Sequence, residues 1–377
     1  MTTRVVILGA GFGGLELATR LSEELADEVS VTLIDKNESF AFGFSKLDVM
    51  FGRRRPEEVR CAYSDIAKNG VEFRQELVTS IDPTARRVVT DHGTYDADIL
   101  VVALGADLDP GATPGLEEGG YDFYSRDGAD RLRDVLPSFT VGDAVIAVLG
   151  PVFKCPPAPS EAAFLLHDFL TEHGVRNATT IKLLTTLPSP IPVSPDASAR
   201  ILAGMAERDI EFWPESVVTS LDPSQKTASL ADGRTINYDL FLAVPIHRVP
   251  AVVEQSGLAV DGWIPVDPAT FETRFPDVYA VGDVTSAPVP RAGVFAEGQA
   301  GTVADVLVAR LGAGANPKPY QGTASCYVEF GGGKVGRVDV DFLGGPAPTG
   351  RFNEPSVEFM GEKALFGSSR RKRWFGR

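Results

Sequence analysis

VIAVLGPVFKCPPAPSEAA, residues Val145–Ala163, opens as an apolar strand ending in Gly150, the usual start of a dinucleotide-binding unit. It then continues as Pro151, Val152, Phe153, Lys154 and Cys155 in place of a glycine-rich phosphate loop. A cysteine therefore stands where such a unit would hold a nicotinamide. Pro156, Pro157 and Pro159 are expected to keep the backbone out of a helix until Ser160, a good N-cap residue, after which the first turn carries Glu161. Cys155 would then lie beside Lys154 and just ahead of a helix N-terminus, an environment expected to lower its thiol pKa.

Toward the N-terminus the same pattern occurs intact. Arg4–Leu8 reads as a strand, Gly9, Gly11 and Gly14 as a turn, Gly14–Ala26 as a helix and Val29–Ile34 as a second strand ending at Asp35. The first glycines allow a tight turn and close approach to a pyrophosphate, and Gly14 lets helix and strand pack closely. Asp35 is placed to accept from a ribose.

The two units are related. Thr79-Ser80-Ile81-Asp82-Pro83, then Asp91-His92-Gly93, Tyr95-Asp96 and an apolar strand, recur as Thr219-Ser220-Leu221-Asp222-Pro223, Asp232-Gly233-Arg234, Tyr238-Asp239 and Leu240–Val244. Val5–Gly11 and Val145–Pro151 align at the same spacing. The second unit lacks two of the glycines, and its strand Ile181–Leu184 ends in Thr185 and Thr186 with no acid for a ribose. A nicotinamide dinucleotide should bind there poorly or not at all. The expected fold class is α/β, two Rossmann-like dinucleotide-binding domains with the second inserted into the first, plus a small C-terminal α+β region. The expected boundaries are 1–112 and 248–316 for the first domain, 113–247 for the second and 317–377 for the C-terminal region.

Composition narrows the function classes. The chain has 377 residues, 44% of them hydrophobic, and a net charge of −15, which argues against nucleic-acid binding. It begins directly in a strand and holds only three cysteines, which favours a cytoplasmic protein whose cysteine pair is more useful in chemistry than in scaffolding. His92, His167, His173 and His247 show no metal-ligand spacing.

Ile99–Ala106, ILVVALGA, and Phe275–Val284, FPDVYAVGDV, resemble the motifs by which two-dinucleotide-binding-domain flavoproteins hold FAD. Cys155 in KCPPAPSE, Cys326 in ASCYVEF and the segment PRAGVFAEGQA, Pro290–Ala300, narrow the resemblance. The group is the sulfide:quinone oxidoreductase and flavocytochrome c sulfide dehydrogenase group of the pyridine nucleotide-disulfide oxidoreductase superfamily. The resemblance covers almost the whole chain. It implies an FAD-dependent oxidoreductase with FAD held by Gly9, Gly11, Phe12, Gly13, Gly14, Asp35, Lys36, Val78, Ala103, Gly105, Gly282, Asp283, Arg291 and Gly293. In it, Asp283 would bond the ribityl chain, and Arg291, where the group usually has lysine, would join a helix N-terminus near Gly293 in stabilising anionic reduced flavin.

The resemblance further implies that Cys155 and Cys326 form a redox disulfide over the flavin, opened by a sulfur nucleophile to give a persulfide and a thiolate. Either cysteine could face the ring. Glu161 would accept the proton of incoming sulfide or serve only as a helix-dipole partner, Lys154 would support thiolate, and Cys61 would be structural. The acceptor would be a quinone or another oxidant. A third cysteine found in many members is missing between Gly105 and Gly120, so donor and acceptor stay open. A type II NADH:quinone dehydrogenase and a non-catalytic redox-sensing flavoprotein are the alternatives.

Beyond Pro317, Ala324–Phe330 and Lys334–Phe342 read as a hairpin through Gly331–Gly333, with a further strand near Val357–Met360. The tail Ser368–Arg377, SSRRKRWFGR, gathers five basic residues around Trp374 and Phe375. It would either rest on anionic lipid at the inner face of a membrane or dock on the protein itself. Homodimer formation is left open.

Overall fold

The computed structural model describes residues 2–312 and 317–376. Residues 313–316, at the end of the expected first domain, and Arg377, the last basic residue of the tail, lie outside the described residues.

The first sheet is wholly parallel, in the order Val278–Ala280, Ile99–Val102, Thr3–Leu8, Val29–Asp35 and Val71–Gln75. Val5–Leu8 and Ile99–Val102, at its centre, are apolar and buried because helices and hairpins cover both faces. The helices Phe12–Leu25 and Gly293–Leu311 pack against each other on one of them. The second parallel sheet runs Tyr121–Asp122, Leu240–Val244, Gly142–Val148, Thr179–Leu184 and Ile210–Trp213. Val278–Ala280 returns to the first sheet after every strand of the second has been laid down, so the second Rossmann-like fold is inserted into the first.

The repeat extends to backbone detail. Each unit carries a three-stranded antiparallel layer, Val78–Asp82 with Arg87–Thr90 and Thr94–Asp96, and Val218–Asp222 with Thr227–Leu230 and Thr235–Asn237. Both layers bulge at the same place, between Val78 and Ser80 and between Val218 and Ser220. Both bulges are tied by a threonine: Thr79 Oγ1 donates to the Val89 carbonyl and Thr219 Oγ1 to the Ser229 carbonyl, each at 3.2 Å.

The C-terminal region is an antiparallel sheet, Thr323–Glu329, Val335–Asp341 and Thr349–Ser356. Its first turn uses Gly331, Gly332 and Gly333 at φ of 74°, 57° and 71°. The strand expected near Val357–Met360 is instead the start of a helix, Val357–Phe375. Ser356 accepts from the Phe359 amide at 3.3 Å and Glu358 occupies the first turn, an N-terminal signature that the β-like alternation of Val357, Phe359 and Met360 around Glu358 conceals. The helix ends at Gly376 in the left-handed region.

The last turn of that helix is docked on the first domain rather than free for lipid. Trp374 and Phe375 are 1% and 4% exposed. Trp374 stands edge-on to Phe12 and Phe40 at ring separations of 5.4 and 5.6 Å, and its indole donates to Glu16 at 2.9 Å. Arg373 forks onto the same carboxylate at 2.9 Å, and Arg370 reaches Glu297. The two aromatics that would enter a lipid interface are already inside the protein. Trp374→Ala should cost about 3–5 kcal/mol of stability, read by chemical denaturation, because it opens a cavity and removes one hydrogen bond to Glu16, which keeps Arg373. A loss below about 1 kcal/mol would mean that the tail is not docked this way.

Candidate active site

The strand Gly142–Val148 feeds a long connection, Leu149–Pro157, before the helix Ala158–Glu172 begins. The helix starts earlier than the sequence suggests. Pro157 tolerates the helical region and Pro159 has no N–H to lose, so Ser160 is buried inside the first turn and is not the cap. Cys155 sits at φ 51°, a left-handed conformation rare for a non-glycine residue and often associated with function. Its amide donates to the Arg291 carbonyl at 2.7 Å, and its own carbonyl accepts from the Ala158 amide at 3.0 Å and the Tyr124 hydroxyl at 3.4 Å. The cysteine loop is thereby stitched to the segment that starts the helix Gly293–Leu311.

Cys155, Lys154, Glu161 and Cys326 line a single cleft of about 370 Å³. Gly11, Phe12, Gly13, Ala103, Gly105, Gly282, Asp283 and Gly293 line it too. Cys155 and Cys326 are free thiols, and Cys61 is buried in the strand Arg60–Ala62. Gly9 and Gly14 shape the turn behind the wall. A Cβ on Gly9, at φ 98°, would lie 2.3 Å from the Ala103 carbonyl oxygen, and one on Gly14 would lie 1.9 Å from that of Gly9. Asp35 accepts from the Ala10 and Asn37 amides at 2.8 Å, Lys36 is exposed beside it, and Val78 is buried in its hairpin. Arg291 is turned aside: its guanidinium donates to the Asp283 and Thr285 carbonyls and lies 3.6 Å from the Trp263 ring centre. Lys154 Nζ donates to the Ala106 carbonyl at 2.7 Å.

The thiols behave opposite to the expectation from sequence. Cys155 as a residue is exposed at the cleft, but its thiol is surrounded by protein groups, and this desolvation pushes it up to about 12, with the Glu161 carboxylate adding to the effect. Cys326 is likewise pushed up to about 12 by burial and then by Glu161. The helix offers little help. The Ala158, Ser160 and Glu161 amides are already bonded to the Cys155 and Pro157 carbonyls, and Pro159 has no amide hydrogen. Burial and a nearby carboxylate outweigh what remains of the dipole.

Glu161 is 2% exposed and accepts from the Glu329 amide at 3.0 Å and from Lys363 Nζ at 3.1 Å. Lys363, from the C-terminal helix, also reaches Glu329 at 2.6 Å, and Glu329 is bonded by Arg53 at 2.7 Å, itself paired with Asp48. Sequence reasoning missed Lys363 and Glu329, whose partners lie far away along the chain, and no local pattern announces them. It also missed Lys46, a buried lysine of the cleft wall bonded to the Tyr124 carbonyl and pushed down to about 8 by burial, with Lys154 adding. His247, taken for a structural or surface residue, is buried behind Lys154. Its Nδ1 bonds the Pro245 carbonyl at 2.8 Å, leaving Nε2 to accept from the Lys154 amide at 3.4 Å.

The cleft fits FAD. The Phe12, Gly13 and Gly14 amides have no protein acceptor among the described residues, which leaves a set of donors for a pyrophosphate at the first helix N-terminus. The Asp283 carboxylate lines the cleft with no protein donor among the described residues, and burial raises its pKa. The second unit offers no such set, since its helix amides are spent.

Residues 3–304 match the family model described as pyridine nucleotide-disulphide oxidoreductase. The mitochondrial sulfide:quinone oxidoreductase of Mus musculus is 25% identical over 368 residues, covering 93% of this chain and 80% of that protein. A type II NADH:quinone oxidoreductase of Staphylococcus haemolyticus is 29% identical over 223 residues, 55% of this chain and 56% of that protein. The crystal structure of the sulfide:quinone oxidoreductase from Aquifex aeolicus superposes with a TM-score of 0.90 at 23% identity, covering 100% of this chain and 92% of that one. The Aquifex aeolicus structure covers the whole chain, the Mus musculus protein nearly all of it, and the Staphylococcus haemolyticus protein about half.

Thiols raised this far react slowly at neutral pH, because only the thiolate is nucleophilic. Iodoacetamide labelling of Cys155 and Cys326 in the reduced holoprotein should climb steadily from about pH 8 toward strongly alkaline pH. Glu161→Gln removes the nearby negative charge, so at about pH 8 both sites should label roughly threefold to tenfold faster. Unchanged rates would show that Glu161 exerts no field on the thiols.

Proposed function

The chain belongs to the pyridine nucleotide-disulphide oxidoreductase family as an FAD-dependent oxidoreductase, and from that premise we propose that it oxidises sulfide and passes the electrons to a quinone. The observation that carries this reading is the pair Cys155 and Cys326 in one cleft with Glu161 beside both. In the oxidised enzyme the pair forms a disulfide. Hydrosulfide attacks one sulfur, the S–S bond breaks, and the products are a persulfide on that cysteine and a thiolate on the other. Glu161 takes the proton released as hydrogen sulfide becomes hydrosulfide. Bound FAD supplies two-electron acceptor chemistry at the cleft, and the quinone is the terminal oxidant. Lys154 and Lys46 give one end of the cleft positive charge, and Asp283 gives a hydrogen-bond acceptor for the cofactor's polyol chain.

The N–H groups that would hold a second dinucleotide are engaged or missing at Ala158–Glu161, which weighs against NADH as donor. Likeness to the Staphylococcus haemolyticus protein keeps that reading as the alternative. Cytoplasmic location and contact with a quinone-bearing membrane are part of the proposal. Since Trp374 and Phe375 are buried, lipid contact would fall to exposed Val357 and Leu365 on the same helix.

Anaerobic sulfide should bleach the oxidised flavin within seconds, and a soluble quinone should restore its colour, while NADH leaves the spectrum unchanged. Cys155→Ser and Cys326→Ser should each abolish bleaching by sulfide and retain FAD. Rapid reduction by NADH, or full activity in either serine variant, would sink the proposal.

A further inference from the structure

We propose that Lys363 is the positioning residue for Glu161, holding that carboxylate ionised with one oxygen pinned and the other left to take a proton. The inference rests on the reading of Cys155 and Cys326 as the redox pair, since it concerns the proton acceptor beside them.

The geometry is specific. Both hydrogen bonds that Glu161 accepts, from Lys363 Nζ and from the Glu329 amide, land on Oε1. Oε2 has no protein donor among the described residues. Both bonds come from N–H groups, which favour the ionised carboxylate. Lys363 is 7% exposed, so its charge acts with little screening, and it also lines the cleft.

Each element packed around Glu161 brings charge or a titratable group. The segment before its own helix brings Cys155, and the strand Thr323–Glu329 brings Cys326 and Glu329. Asp339, on the next strand, acts on Cys326. Arg53 and Asp48 stand beyond Glu329 and are paired with each other, Arg53 also with Glu329. Lys46 acts on Cys155 from across the cleft. Among the described residues the cation that touches Glu161 is Lys363. Burial raises the Glu161 pKa and Glu329 adds repulsion, so the net shift stays upward even though Lys363 opposes it. Without Lys363 the carboxylate would keep only an amide donor, and its pKa would rise further. A protonated Glu161 cannot accept a second proton.

Lys363 also explains why this role needs the C-terminal helix. Glu161 follows the first cysteine, Glu329 ends the strand that bears the second, and Lys363 joins them from a third element. One ammonium sets the spacing of both carboxylates.

The test uses the FAD-loaded enzyme. In the infrared spectrum of oxidised K363M at about pH 7, a protonated-carboxyl C=O band should appear that wild type and K363R lack and that K363M/E161Q loses again. This readout needs no sulfide. In stopped-flow reduction by sulfide, K363M should react roughly tenfold more slowly at about pH 7 and recover as pH rises, because the acid limb moves upward with the Glu161 pKa. K363R should stay within about threefold of wild type, and K363M/E161Q should be no slower than E161Q. If K363M does not fold, K363Q, which keeps a donor for Oε1 without the charge, takes its place.

No new carboxyl band together with an unmoved pH profile would overturn the inference, as would a loss of rate equal at every pH with FAD retained. If wild-type flavin is not reduced by sulfide at all, the functional proposal fails while the band still decides what Lys363 does.

Discussion

The contact on which the site depends is the ammonium of Lys363 shared between Glu161 and Glu329. It joins three pieces of chain that are distant in sequence: the helix after Cys155, the strand that bears Cys326, and the helix that closes the polypeptide. Buried ion pairs repay their desolvation only with good geometry and further hydrogen bonds. Here the Glu329 amide and the Arg53 guanidinium supply them. Removing one partner of such a network strands a charge, which is why its cost exceeds the worth of any single bond. The same network places a carboxylate beside two sulfurs, where it adds to the effect of burial in disfavouring thiolate, while the Lys363 ammonium opposes it at Cys155.

The rest of the architecture is one scaffold used twice with opposite treatment of the same amides. In the first unit the tight Gly9–Gly11 turn leaves the N–H groups of Phe12, Gly13 and Gly14 unengaged. In the second, the long loop bends back to satisfy its helix with its own carbonyls, and proline removes the remaining donor. The change converts an anion site into a rigid pedestal for Cys155. Its positive φ and its bond to the Arg291 carbonyl fix that pedestal against the helix Gly293–Leu311. Strain at Cys155 is tolerated because both of its backbone polar groups are bonded.

What the sequence made legible was local or periodic. The glycine turns, the apolar parallel strands, the duplicated hairpins and the Gly331–Gly333 turn are each written within a few residues, and each is present. The site was legible as far as motifs reach: Cys155, Lys154, Glu161 and Cys326 do share one cleft. Three things were not legible, each for a physical reason. The direction of the thiol shift depends on burial and on whether helix amides are already spent, neither of which a motif records. The helix Val357–Phe375 hides behind a short β-like run, because its stability comes from the docking of Trp374 and Phe375 against the first domain. Lys363 sits amid ordinary helix-surface residues, and only the fold brings it to Glu161.

Charge is unevenly divided around the cleft, and the division follows from which elements meet there. Lys46 approaches from the first domain and Lys154 from the cysteine loop, and Lys46 is pushed down to about 8 by burial, with the Lys154 charge adding to the effect. A ligand that brings negative charge to that end offsets the repulsion and favours the cationic form of Lys46. The Cys155 side carries Glu161, which opposes thiolate. Negative charge is therefore favoured near the lysines and disfavoured near the sulfurs. Lys363 lies between these tendencies, since it lowers both the carboxylate and the neighbouring thiol. A proton arriving on Glu161 removes the opposition to thiolate and leaves Lys363 less fully compensated, so thiolate formation and carboxylate protonation favour each other. Proton uptake by one residue and charge on its neighbour are thus a single equilibrium, imposed by three chain segments packed around one ammonium group.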